Sequence, residues 1–119
     1  MEHIGFALPI LPGKGAAARA FQGELAGARR AEYADAERAL GIVKELWFLQ
    51  ETPNGDLFIA YLESPNITQA LDRFAASRAT FDLWFRRQLA NITGVDLGLP
   101  PPGPLSELVS RYEAATYNP

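Results

Sequence analysis

Tyr61 and Glu63 stand two positions apart in LFIAYLES, so on an extended strand they project from one face. The preceding stretch, IVKELWFLQ, offers Lys44, Phe48 and Gln50 at the same alternate spacing, and a hairpin would set them opposite. A phenol, a carboxylate and an aromatic wall could bind a small, partly polar ligand or do acid–base work. The competing explanation is an interface whose polar tips pair between two copies of the chain. His3 is the sole histidine. It shares a strand face with the small residues Gly5 and Ala7, which could leave a hollow where an imidazole takes a proton or binds haem iron. Otherwise it is a frayed terminal histidine. Arg29, Arg30 and Tyr33 cluster on a helical segment and could hold a substrate carboxylate. A surface lattice, Arg29 with Glu32 and Tyr33 with Glu37, accounts for them better. The candidate pocket is therefore His3, Arg29, Tyr33, Lys44, Phe48, Gln50, Tyr61 and Glu63, with no catalytic residue singled out.

Other chemistries are less well served. Trp47 and Trp84 suit core packing better than a cofactor platform. Gly13-Lys14-Gly15-Ala16-Ala17-Ala18 has the form G-x-G-x-x-A between a strand and a helix. It lacks an acidic residue placed for a ribose, and the later strands form a hairpin rather than a parallel sheet, so a dinucleotide site is not expected. One histidine and scattered carboxylates give no metal set, and the absence of cysteine removes disulfides, thiolate zinc sites and cysteine nucleophiles. No cofactor is expected.

The chain has 119 residues, 48% of them hydrophobic and 21% charged, with a net charge of −3. Without clustered Lys and Arg, nucleic acid is not an expected partner. The opening run MEHIGFALPILPG is too short and too interrupted for a signal or a membrane span, so a cytoplasmic location is expected. The sequons at Asn66 and Asn91 are then chance occurrences.

These residues must be positioned by elements that the patterning makes visible. Residues 3–10 alternate as a strand, with Ile4, Phe6 and Leu8 on one face, and end at the turn signal Leu11-Pro12-Gly13. Residues 14–40 read as helix, with stripes of Ala17, Phe21, Leu25, Ala28 and of Arg29, Tyr33, Ala36, Leu40. Gly27 between them predicts a break, and Gly41 a C-terminal cap. Strands follow at 42–50 and 56–63, with Asn54-Gly55 as the expected turn. Asn66 should cap a helix over 66–77, and Thr80 another over 80–93 with Phe81, Trp84, Phe85, Leu89 and Ile92 buried. Residues 1–98 form the expected domain. Residues 99–119 form a proline-rich tail, with a short docking helix opened by Ser106 and carrying Leu105, Leu108, Val109 and Tyr112.

The hairpin strands are apolar on both faces. With Asn54-Gly55 at the turn, Pro53 faces Asp56 and Trp47 faces Leu62. Val43, Glu45, Trp47 and Leu49 then share a face with Phe58, Ala60 and Leu62, which suits a helix layer. Lys44, Leu46, Phe48 and Gln50 share the other with Leu57, Ile59, Tyr61 and Glu63, and that face also needs cover. The order β-α-β-β-α with an added helix matches the α+β, ferredoxin-like split βαβ plan, antiparallel with helices on one face. A fourth strand would have to come from residues 94–99 or the tail.

This order, with the stretches LAGARRAEYADAERALGI, ELWFLQETPNGDLFIAYLE and FDLWFRRQLANITGVDL, resembles the dimeric α/β-barrel superfamily and a group of small bacterial proteins of that type. The resemblance implies ferredoxin-like subunits whose sheets pack face to face in a homodimer. It implies a small-ligand-binding protein or a cofactor-free enzyme of the monooxygenase or isomerase type. A non-catalytic structural or binding homodimer and a haem-handling protein are the alternatives. The superfamily has no shared catalytic motif, so no residue role is carried over. The expected partners are a second copy of the chain and a small organic ligand, with neither nucleic acid nor membrane.

Overall fold

The computed structural model describes residues 1–101 and 103–116; Pro102 and residues 117–119 of the expected tail lie outside the described residues. The elements run β1 (Glu2–Pro9), α1 (Gly15–Ala26), α2 (Arg30–Leu40), β2 (Lys44–Thr52), β3 (Gly55–Ser64), α3 (Ile67–Ala76) and α4 (Thr80–Thr93). The fold class is α+β. The sheet is three-stranded, in the order β1-β3-β2, and both pairs are antiparallel. The crossover through α1 and α2 thus brings β1 and β2 to either side of β3, running the same way.

The hairpin turn sits one residue earlier than the sequence signal places it. Thr52 pairs with Gly55, so Pro53 and Asn54 take the central turn positions, and Trp47 faces Ala60. Asn-Gly as a tight turn would need positive φ at Asn54. Among the described residues φ is positive only at glycines, with +120° at Gly55. Pro53 favours the first central position of a type I turn, which pushes the unusual conformation onto the next glycine. The register moves by two, an even number, so every side chain keeps its expected face. Phe58, Ala60 and Leu62 are 1%, 1% and 3% exposed on the helix side, whereas Leu46 and Phe48 on the other are 44% and 56% exposed.

The helices cover the inner face as two connected clusters. Leu8, Phe58, Phe21, Leu25, Phe85 and Leu89 belong to the larger; Ile4, Leu40, Ile42, Leu62, Ile67 and Ala70 form most of the smaller. Phe6, Trp47 and Phe74 pack against both. The chain leaves helix between Gly27 and Arg29, as the glycine predicts, and Ala28 falls in that turn, exposed rather than on the α1 stripe. Gly41 adopts the left-handed conformation, φ 83°, that closes α2 and turns the chain into β2. Asn66 Oδ1 accepts from the Gln69 backbone N–H at 3.0 Å, capping α3 as expected.

Three expectations fail. Ala79, not Thr80, occupies the cap position of α4, and no side chain bonds it there. Nearby, Ser77 Oγ accepts from the Ala79 N–H at 3.2 Å and donates to the buried Asp82 at 2.6 Å. Among the described residues there is no fourth strand. Residues 94–99 instead turn, with Asp96 Oδ1 accepting from the Gly98 N–H at 2.8 Å, and Val95 and Leu97 pack against the core. Residues 103–116 contain no helix. So short an apolar segment cannot hold helix without packing, and Leu105, Leu108, Val109 and Tyr112 are 50–92% exposed. Ser106 instead donates its hydroxyl to the Gly5 carbonyl of β1. No helix among the described residues is long and apolar enough to cross a membrane.

Candidate functional site

The candidate residues fall into two places, on opposite faces of the sheet. The outer face holds His3, Lys44, Tyr61 and Glu63. His3 and Lys44 both face Glu63 across β3, so the three form one row over the three strands. His3 Nδ1 lies 2.7 Å from the Tyr61 hydroxyl and 4.0 Å from Glu63 Oε1, and Lys44 Nζ lies 3.4 Å from Glu63 Oε2. Desolvation at the sheet and the Glu63 charge raise the Tyr61 hydroxyl above its ordinary range. Phe48 pairs with Ile59 and Gln50 with Leu57, further along the strands, so they extend the face and do not join this row.

Arg29 and Tyr33 lie on the helix side and part company there. The Arg29 guanidinium sits 4.0 Å from the centre of the Trp84 ring. It pairs with Glu24 at 3.0 Å and Glu32 at 3.6 Å, so its charge is already answered. Tyr33 turns inward and stacks on Phe81, ring centres 6.0 Å apart.

Inside, Tyr33 meets a carboxylate. Glu45 stands on the inner face of β2, two residues before Trp47 on the same face. Its Oε2 accepts from the Tyr33 hydroxyl and, at 3.0 Å, from Trp47 Nε1. Glu37 follows Tyr33 by four residues, one turn along the same helix face, near enough to Glu45 to feel its charge. Glu37 Oε2 is buried with no partner among the described residues. Burial, then the charges of Glu45 and Asp82, push the Glu37 carboxyl up to about 10. Burial, then Glu45, also raise the Tyr33 hydroxyl far above its usual range. Both causes favour the protonated form of Glu37 beside Glu45. Two donors converging on one Glu45 oxygen suit a carboxylate acceptor.

This group borders a cleft of about 250 Å³ between α2 and the start of β2, lined also by Arg30, Ala34, Ile42, Val43 and Lys44. A neutral acid, a carboxylate and a phenol on one wall can deliver and accept a proton. Of these three, sequence reasoning singled out Tyr33 alone. The signals for the others are the Tyr33–Glu37 spacing and the presence of Glu45 among the apolar Val43, Trp47 and Leu49 of one strand face. A second hollow beside β2 involves Phe48, with Trp47, Leu49, Phe58, Arg19 and Gln22. The G-x-G-x-x-A run opens α1, with Lys14 Nζ tied to Asn91 Oδ1 at 3.2 Å. Among the described residues no group of three or more His, Asp or Glu side chains could hold a metal ion.

The molecule is thus a small α+β domain with a cleft lined by Tyr33, Glu37 and Glu45 on the helix side of its sheet. Comparison with protein-family models, curated proteins and solved structures finds no significant match.

Proposed function

We propose that the chain binds a small organic ligand in the α2–β2 cleft and moves a proton on it without a cofactor, as an isomerase does. The observation that carries this reading is the Glu37–Glu45 pair beside Tyr33 on the cleft wall. Two chemically identical groups in unequal surroundings divide the work. Glu37 supplies a proton at neutral pH, and Glu45, aligned by Tyr33 and Trp47, accepts one. The cofactor-free monooxygenase alternative draws on the same cleft but gives the stored proton less to do.

The subunit is read as ferredoxin-like without the fourth strand, a reading supported by the β1-β3-β2 order. A homodimer through the outer face is supported by the exposed Leu46 and Phe48, apolar side chains that a second sheet would cover. A dimer without catalysis rests on that same observation. The haem reading gains no support, because His3 is engaged by Tyr61 and faces Glu63.

Carbon-13 NMR of glutamate-labelled protein tests the proton, and mass spectrometry of small molecules retained by the purified protein tests the site. A protonated carboxyl at pH 8 that disappears in Glu37→Gln supports the reading, as does a retained molecule lost from Tyr33→Phe and Glu45→Gln. A fully ionised Glu37 at pH 7, or a retained molecule indifferent to both variants, rejects it.

A further inference from the structure

The cleft is lined by Arg30 from α2 and an apolar middle of Ala34, Ile42 and Val43; Lys44 borders it, but its ammonium pairs with Glu63 on the outer face. Five of the eleven Lys and Arg side chains are held by carboxylates: Arg19 by Glu51, Arg29 by Glu24, Arg38 by Asp35, Lys44 by Glu63 and Arg111 by Glu113. Arg30 has no carboxylate within 4.0 Å among the described residues. Val43 is 59% exposed, although its neighbour Ile42 is only 8% exposed. Of the two lining carboxyls, Glu45 is engaged by Tyr33 and Trp47, and burial raises that of Glu37 well above its ordinary range.

We infer that the cleft takes a small organic anion, a carboxylate on an apolar body, with the carboxylate on Arg30 and the body over Ile42 and Val43. The inference rests on the reading of this cleft as a ligand site. The guanidinium fork suits a carboxylate better than any point charge does. The body over Val43 removes apolar surface from water. A volume of about 250 Å³, under the roughly 300–1,000 Å³ of drug-sized sites, restricts the ligand to a small one. The neutral Glu37 carboxyl then lies beside an anion without repelling it and has a proton to give.

The full-length chain, labelled with nitrogen-15, is titrated with benzoate and phenylacetate and, separately, with the primary amides of the same skeletons. The acids are expected to shift the Ala34, Ile42 and Val43 amide signals saturably. Arg30→Gln should weaken them at least tenfold, Arg30→Lys by less, and Arg38→Gln not at all. Unchanged signals elsewhere establish that each variant is folded. Amides that bind as well as the acids, or an Arg30→Gln chain that binds the acids like the wild type, overturn the anion inference and leave the cleft as a neutral-ligand site. No saturable shift with either series overturns both.

Discussion

Trp47 and Tyr33 meet at a single atom: the indole N–H and the phenol both donate to Glu45 Oε2, joining the inner face of β2 to α2. Removing either donor leaves a half-buried carboxylate oxygen with one partner fewer. Tyr33→Phe keeps the ring against Phe81 and deletes only the hydroxyl. It is expected to cost about 1–3 kcal/mol, read from the urea midpoint at unchanged m-value.

Glu37 sets the direction of the pH dependence. Its folded-state pKa, about 10, is above its ordinary value of 4.5. The folded chain therefore binds more protons than the unfolded one between those limits. Stability attributable to Glu37 is fully present below the ordinary carboxyl range and declines as pH rises toward 10. The slope for one such proton is at most about 1.4 kcal/mol per pH unit. Glu37→Gln should flatten this decline and be more stable than the wild type at pH 8 than at pH 5. Urea titrations at both pH values check it, and a steeper fall in the variant contradicts the assignment.

Phe48 tests the outer face. It is 56% exposed in the single chain, so Phe48→Ser should change monomer stability by under about 1 kcal/mol. If a second copy covers the face, the wild type is a dimer in light scattering at micromolar concentration and Phe48→Ser is a monomer. A monomeric wild type contradicts the dimer.

The tail makes a separate prediction. Its described residues touch β1 through Ser106 and Gly5, while Leu105, Leu108, Val109 and Tyr112 stay largely exposed. A chain ending at Leu99 should therefore lose little stability, and hydrogen exchange should rise locally along β1. Loss of the dimer in that variant would assign the cover to the tail rather than to the sheet.

Gly55 carries the strain of the hairpin. At φ +120°, an alanine is conformationally disfavoured although nothing lies near its added carbon. Gly55→Ala should cost about 1–2 kcal/mol, with Gly23→Ala as a control on a helix surface.

The sequence made some of this legible and concealed the rest for physical reasons. Strand faces survive because side-chain direction depends only on parity, and the turn moved the register by two. The break at Gly27 and the caps at Gly41 and Asn66 are local, so local residues specify them. The cap at Thr80 misled because Ser77 and Asp82 already organise that end of α4. Glu37 reads as a surface partner of Tyr33 until β2 is placed beneath it. Only Leu40 of α2 is buried outright, so the helix's own pattern does not say which polar residues turn inward. Glu45 draws its importance from Tyr33, Glu37 and Trp47 together, a meeting that the tertiary fold creates.

The central position of β3 has a consequence for synthesis. β2 joins β3 across the short Pro53-Asn54 turn, whereas β1 must wait for partners running from Leu57 to Ser64. Local pairings form early and distant ones late. On a ribosome β1, made before β2 and β3, is thus the last of the three to be committed. Ile4, Phe6 and Leu8 travel uncovered until Ser64 emerges, and they are the stretch a chaperone has most reason to hold.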